Sequence, residues 1–179
     1  MASVLVSGGP GSGKSSVAEG LRHRGLQSID SDYGLARWED LEGTPVTMPA
    51  CPSMEWLQRH RWQWIGEQLE QALRECRERS AVICGAAYNM ADYLPQFDLL
   101  ILLQIDAATM VRRLGDPGRN NDWGKAGATL EWSYDLRCRQ EAELLEAGAR
   151  CIDGRQPIEQ VVVEVTRISR SCGIDLSDS

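Results

Sequence analysis

Phenylalanine is almost missing from this chain: one residue against six tryptophans in 179, so the aromatic surface is carried mainly by indoles. Basic charge is also short. Nineteen lysines and arginines face 26 acidic residues, for a formal charge of −7, which argues against a coat for nucleic acid polymers or for an anionic membrane surface. The six cysteines (Cys51, Cys76, Cys84, Cys138, Cys151, Cys172) form no Cys-x-x-Cys pair, and reduced thiols in a cytosol fit that scatter best. No apolar run is long enough to span a bilayer. No basic segment followed by a long apolar one opens the chain, so no signal peptide and a cytoplasmic location are expected. Internal repeats are absent too, and residues 1–179 are expected to make one domain with a single substantial core.

What is present alternates. A strand-like run at 3–7 is followed by a helical pattern at about 14–24 and a strand at 27–30, which is the rhythm of an α/β fold. Residues 54–79 read as one long helix, 81–84 as a short apolar strand, and 98–105 as a continuous apolar run suited to a buried parallel strand. Helices at 107–114 and 130–147, a strand at 150–152 and a closing helix at 158–170 complete the pattern. The expectation is a five-stranded parallel sheet flanked by helices. Two stretches break the rhythm, a Gly-, Pro- and Thr-rich segment from Tyr33 to Cys51 and a glycine-rich one from Gly115 to Gly127. Loops this long in a domain of this size tend to be lids or binding segments.

The strongest local signal is Gly8-Gly9-Pro10-Gly11-Ser12-Gly13-Lys14-Ser15, with Ser16 following, between a strand and a helix. Glycines there let successive backbone N–H groups turn around phosphates, and the helix N-terminus adds partial positive charge. In such a loop Lys14 reaches the β- and γ-phosphates of ATP and Ser15 ligates Mg²⁺. Motors, switches, ATPases and kinases share the loop, so it leaves the fate of the nucleotide open.

The second strand ends in Asp30-Ser31-Asp32-Tyr33, which places two carboxylates at the carboxyl end of a parallel strand, where ligands bind in open α/β sheets. One of them, Asp30, would serve Mg²⁺ through water while Asp32 orients or deprotonates an acceptor hydroxyl. The competing reading is an Asp/Ser turn that only caps the next segment.

These residues resemble the shikimate kinase and gluconate kinase group of P-loop kinases, within the nucleoside-monophosphate-kinase-like class. Asp30-Ser31-Asp32 looks like the Asp-Ser-Asp of shikimate kinases, and the resemblance implies that the first Asp serves the metal and the second the substrate hydroxyls. Arg139, followed by Ala147 on the same helix, is similar to a substrate-binding arginine of that group. Where shikimate kinases carry a Gly-Gly-Gly turn, this chain has Gly85-Ala86-Ala87-Tyr88-Asn89. Trp38-Glu39-Asp40 with Trp56, His60, Trp62 and Trp64 is similar to a group of uncharacterised bacterial ATP-binding small kinases. The resemblance further implies a mobile lid at about 115–128 and a substrate-binding insertion at about 33–61.

In the lid, Arg119 and Lys125 are expected to neutralise charge on the transferred phosphoryl group, while Arg113, at its entry, contacts the nucleotide. Tyr88 and Asn89 face the substrate edge of the sheet. Packing explains the tryptophans as well as an aromatic substrate wall does, and His60 reads either as structural or as a contact. Three functions stay open: transfer of the γ-phosphoryl of ATP to a small-molecule acceptor, with a hydroxyl as the expected acceptor group; a nucleoside monophosphate kinase, for which Arg37, Arg59 and Arg61 would be the acceptor arginines; and a nucleotide-dependent regulatory protein with slow ATPase. No oligomeric state follows from the sequence.

Overall fold

Five strands, β1 (Ser3–Ser7), β2 (Ser28–Asp30), β5 (Ala81–Cys84), β6 (Leu99–Gln104) and β7 (Arg150–Asp153), pair in the order β2-β5-β1-β6-β7, and every pairing is parallel. The computed structural model describes residues 2–119 and 121–176. Asn120, inside the expected lid, lies outside the described residues. Every residue of β1 and β5 is buried, as expected of strands covered on both faces. On one face Val4, Val6, Val82, Ile101 and Leu103 pack under α1 (Lys14–His23) and α7 (Ile158–Ser171) through Leu21, Val161 and Val165. On the other, Leu5, Ile83, Leu100 and Leu102 meet Leu69 and Leu73 of α3 (Gly66–Arg79), with Trp64, Met90 and Phe97. Each such side chain fully buried stabilises the fold by about 1.5–3 kcal/mol. The expected five-stranded parallel sheet is therefore present, and all its carboxyl ends meet along one edge.

One expectation is corrected. Residues 54–79 are not a single helix but α2 (Met54–Arg59), β4 (His60–Trp64) and α3. β4 pairs antiparallel with β3 (Ala36–Asp40), matching Trp38 to Trp62 and Asp40 to His60, so the Gly- and Pro-rich stretch contains a strand as well. The apolar spacing of the segment suits a helix, but His-Arg-Trp-Gln-Trp also alternates, and pairing across the ladder overrides helix propensity. Ser53 ends the ambiguity on one side by accepting the Trp56 N–H as the cap of α2.

The β3–β4 ribbon is fastened to the main sheet at several points. Tyr88 N–H, just past β5, donates to the Trp62 carbonyl, while the Ile65 N–H donated to the Leu35 carbonyl continues the ribbon's own ladder. The Trp64 indole donates to buried Ser31 Oγ at 3.0 Å. Helices α4 (Met90–Tyr93), α5 (Ala107–Leu114) and α6 (Gly127–Glu146) complete the architecture. Among the described residues no helix is long and apolar enough to cross a membrane, and all six cysteines are free.

Gly85 shows how closely this edge is built. A Cβ there would overlap the Ser31 hydroxyl and stand 2.7 Å from Ser31 Cβ, and Ser31 is fully buried. Gly85→Ala is expected to destabilise the protein by about 1–3 kcal/mol, read as a lower denaturant midpoint at unchanged slope. An unchanged midpoint would show that the β2 and β5 ends do not meet this tightly.

Candidate active site

The loop from Gly8 to Gly13 leaves β1 at the centre of the sheet and enters α1. Gly8, Gly11 and Gly13 have φ of 149°, 74° and 101°, conformations that favour glycine. Close approach adds a second requirement, since a Cβ on Gly8 would lie 2.6 Å from the Leu103 carbonyl oxygen and one on Gly9 2.6 Å from Arg137 Cγ. No side chain caps the N-terminus of α1 and its first turn holds no acid, so its N–H groups and dipole remain available to an anion. Ser12 Oγ is buried without a partner inside the loop. Lys14 folds back across it, Nζ donating to the carbonyls of Gly8 (2.7 Å) and Gly9 (3.0 Å). Ser15 and Ser16 are exposed at the first turn of α1. Pro10 is half-buried on the loop.

Two carboxylates lie within electrostatic range of Lys14 without pairing to it directly. Asp30 closes β2 at 7% exposure, and its Oδ1 accepts the Asp32 N–H at 3.1 Å. The segment is thus the Asx turn that the sequence allowed, and the turn is what brings both carboxylates toward the loop. Asp32 is exposed to solvent at its surface, but the protein crowding it raises its carboxyl above the ordinary range; Lys14 opposes that rise, Asp30 adds to it, and the nearby Trp62 indole opposes it. Burial pushes the Lys14 ammonium down, and Asp32 and then Asp30 push it back.

The arginines divide by task. Arg113 donates to the carbonyls of Gly11 (3.2 Å) and Gly154 (2.7 Å), bracing the loop from behind. Arg119 donates to the carbonyls of Leu114 and Trp123, and Lys125 to Arg119 O and Asp122. Both of these cations act within their own loop, rather than standing over Lys14. Arg137 of α6 is different. Its stem lies against Gly9, its Nε is buried without a partner, and its NH1 pairs with Glu141 at 3.2 Å. Sequence reasoning passed it over. The only signal was a second arginine two positions before Arg139, with nothing to say which would meet the loop.

Across the cleft the guanidinium carbons of Arg61 and Arg139 lie 4.4 and 3.9 Å from the centroid of the Tyr88 ring, close enough for cation–π attraction to both. Arg139 NH2 is buried and unpartnered, while its Nε stands 3.7 Å from Glu143. Burial raises the Glu143 carboxyl and Arg139 opposes the rise. Asn89 is otherwise engaged: its amide accepts from Trp64 N–H and donates to Trp64 C=O, a bidentate tie to β4. His60 stacks on Trp56 at 4.1 Å and its Nδ1 is 2.7 Å from the Trp56 carbonyl oxygen, a structural place.

Among the described residues no group of three His, Cys, Asp or Glu could hold a metal by itself. The site fits Mg²⁺ in another way, since Ser15 and Asp30 offer hard oxygens beside an anion-binding helix end and phosphate oxygens would complete the shell. The glycine cradle, the uncapped helix and the orphaned Ser12 hydroxyl fit a polyphosphate.

No family model and no curated protein matches the chain. Solved structures do. A shikimate kinase from Acinetobacter baumannii, in complex with shikimate, is 15% identical and superposes with a TM-score of 0.60, over 96% of this chain and 94% of that one. A sugar kinase from Janibacter sp. is 17% identical with a TM-score of 0.58, over 99% of both chains. A deoxyadenosine kinase from M. mycoides with bound dATP is 12% identical with a TM-score of 0.53, over 95% of this chain and 100% of that one. At these identities the likeness shows the fold alone, a parallel five-stranded α/β sheet with flanking helices shared with these kinases.

Proposed function

We propose that this chain is an ATP-dependent phosphotransferase that moves the γ-phosphoryl group of Mg-ATP to a hydroxyl of a small molecule. The observation that carries the reading is the convergence of Lys14, Asp30 and Asp32 at the mouth of a glycine loop built for phosphate. In this reading the loop from Gly8 to Ser16 cradles the nucleotide, with Arg113 holding the loop's shape. Bound Mg²⁺, held by Ser15 and Asp30, would neutralise phosphate charge. Lys14 and the Arg137 head stabilise charge on the transferred group, and Asp32 orients the acceptor hydroxyl and takes its proton. Residues 33–61 act as the acceptor-binding insertion and 115–128 as the lid, whose Arg119 and Lys125 would reach the phosphates only after rearranging. Free cysteines and an acidic surface suit a protein of the reducing cytoplasm.

Arg61, Tyr88 and Arg139 form the acceptor's far wall. Two guanidinium groups around one ring, one with an unpartnered N–H, favour an acceptor with an anionic group. Arg139→Ala is expected to raise the acceptor KM by about tenfold or more at unchanged ATP KM; equal effects on both would place Arg139 at the nucleotide. The same two arginines support a second reading, in which the anionic group is the phosphate of a nucleoside monophosphate. One experiment tests both: ATP and Mg²⁺ with fractionated metabolite and nucleotide pools, scored by ADP release. Stimulation by a hydroxylated metabolite supports the first reading and stimulation by a nucleoside monophosphate the second. If no pool raises ADP formation above a slow basal rate, the chain is a nucleotide-dependent regulator instead.

A further inference from the structure

Helix α6 carries two arginine–glutamate pairs at the same i,i+4 spacing, and they are built differently. Arg139 Nε stands 3.7 Å from Glu143, too far for a hydrogen bond. Arg137 NH1 instead donates to both carboxylate oxygens of Glu141, each at 3.2 Å, and to the carbonyl of Ile105, just past β6, at 3.4 Å. The Arg137 and Glu141 side chains are only 20% and 17% exposed, so solvent screens this pair less than a surface pair.

One nitrogen of Arg137 is thus fixed from two elements, while the rest of the guanidinium is not. Nε is buried without a partner, and NH2 meets Cys138 Sγ at 4.0 Å, a weak acceptor. Nε and NH2 are donors that a guanidinium offers side by side to a phosphate or carboxylate. Gly9 sets where they lie: a Cβ on it would stand 2.6, 2.8 and 2.9 Å from Cγ, Cβ and Cα of Arg137, so α6 rests on the loop at this residue. Lys14 reaches the same glycine from within the loop, its Nζ donating to the Gly9 carbonyl at 3.0 Å. The lysine of such a loop serves the β- and γ-phosphates, which puts Arg137 at that end of a polyphosphate too.

We propose that Glu141 is a positioning residue for Arg137: with the Ile105 carbonyl it holds NH1, and so keeps Nε and NH2 turned to the γ-phosphate of a bound nucleoside triphosphate. The proposal rests on the reading of residues 8–16 as the phosphate site and of Arg137 as a cation for the transferred group. An arginine without this anchor keeps its charge but spreads its donors over many rotamers, whereas two parallel N–H bonds need one orientation. The sign of the effect is diagnostic. Glu141 is an acid near an anion site, so by charge alone its removal strengthens nucleotide binding; as an anchor, its removal weakens it.

The test is calorimetric titration of the full chain, in Mg²⁺, with ADP and with a non-hydrolysable ATP analogue. Glu141→Ala is expected to weaken binding of the analogue about three- to tenfold, the scale of one hydrogen bond, and to leave ADP within about twofold. Glu141→Gln, which keeps an oxygen toward NH1, should retain most of the affinity. Arg137→Lys, which keeps the charge without the paired donors, should lose at least as much, and adding Glu141→Ala to it should change nothing further. Glu141→Met, which keeps the stem without the oxygens, serves if the alanine variant folds poorly. Unchanged or tighter analogue binding in Glu141→Ala overturns the proposal, as does an equal loss for ADP, which would place the two donors at the phosphates common to both nucleotides. A further loss on adding Glu141→Ala to Arg137→Lys also overturns it, since Glu141 would then act other than through Arg137. A chain that binds neither nucleotide sinks the reading of the phosphate loop, whereas one that binds both, with Glu141→Ala like the parent, sinks only the role of Glu141.

Discussion

Lys14→Ala is expected to lower phosphoryl transfer by about 10²–10³-fold or more while leaving the fold in place. The ammonium bonds only to the carbonyls of Gly8 and Gly9 on its own loop, and no core contact depends on it. Its charge matters for a different reason. Two carboxylates lie within electrostatic range of it, and a polyphosphate entering the cleft adds further negative charge; removing Lys14 takes away a cation that offsets the sum. Far-UV circular dichroism and a denaturation curve would report the fold, and ADP release with a working acceptor the transfer. Full activity in the variant would sink the reading of this loop as the phosphate site.

Separate replacement of the two carboxylates is expected to give two distinct losses. Asp32→Asn should cut kcat for transfer by about 10²–10⁴-fold if Asp32 takes the hydroxyl proton, with nucleotide affinity nearly unchanged. A smaller loss would indicate orientation alone, since a loose phosphoryl-transfer transition state asks little of a base. Asp30→Asn should instead depress both acceptor-dependent transfer and basal ATP hydrolysis and weaken the dependence on Mg²⁺, because the missing charge belongs to the metal side whatever the acceptor. The amide at 30 keeps an oxygen to accept the Asp32 N–H, so the turn should survive and the loss can be assigned to charge. Titration of a nucleotide by calorimetry, set beside acceptor-dependent turnover, separates the cases. If Asp32→Asn transfers normally, Asp30-Ser31-Asp32 is a turn and nothing more.

The positions that sequence reasoning singled out differ in how far they came together. Lys14, Asp30 and Asp32 converge, and Arg139 meets Tyr88 across the cleft. Asn89 is taken up by a backbone tie to Trp64. Arg119 and Lys125 close their own loop. The type and place of the last three residues suit ligand binding and loop fastening equally well, because an amide or a cation near a strand end bonds whichever carbonyl or carboxylate the chain supplies. Arg137 was invisible for a related reason: about half a turn of helix separates two nearby arginines and decides which faces the loop, and helical phase cannot be read without knowing where α6 lies against β1.

The sequence by itself determined the parallel sheet and the phosphate loop, because both are written in short-range patterns. Fully apolar strands demand cover on both faces, and a glycine run between a strand and a helix leaves the backbone few other uses. Only the tertiary structure decided that residues 60–64 form a strand, since that depends on β3 lying opposite them. The same holds for the pairing of Arg61 with Arg139 around Tyr88, and for the indole contacts from Trp123 through Trp38 to Trp62. These contacts join segments far apart in the chain, and nothing local sets their energies. They form only once burial of the two faces of the sheet has fixed where each loop emerges.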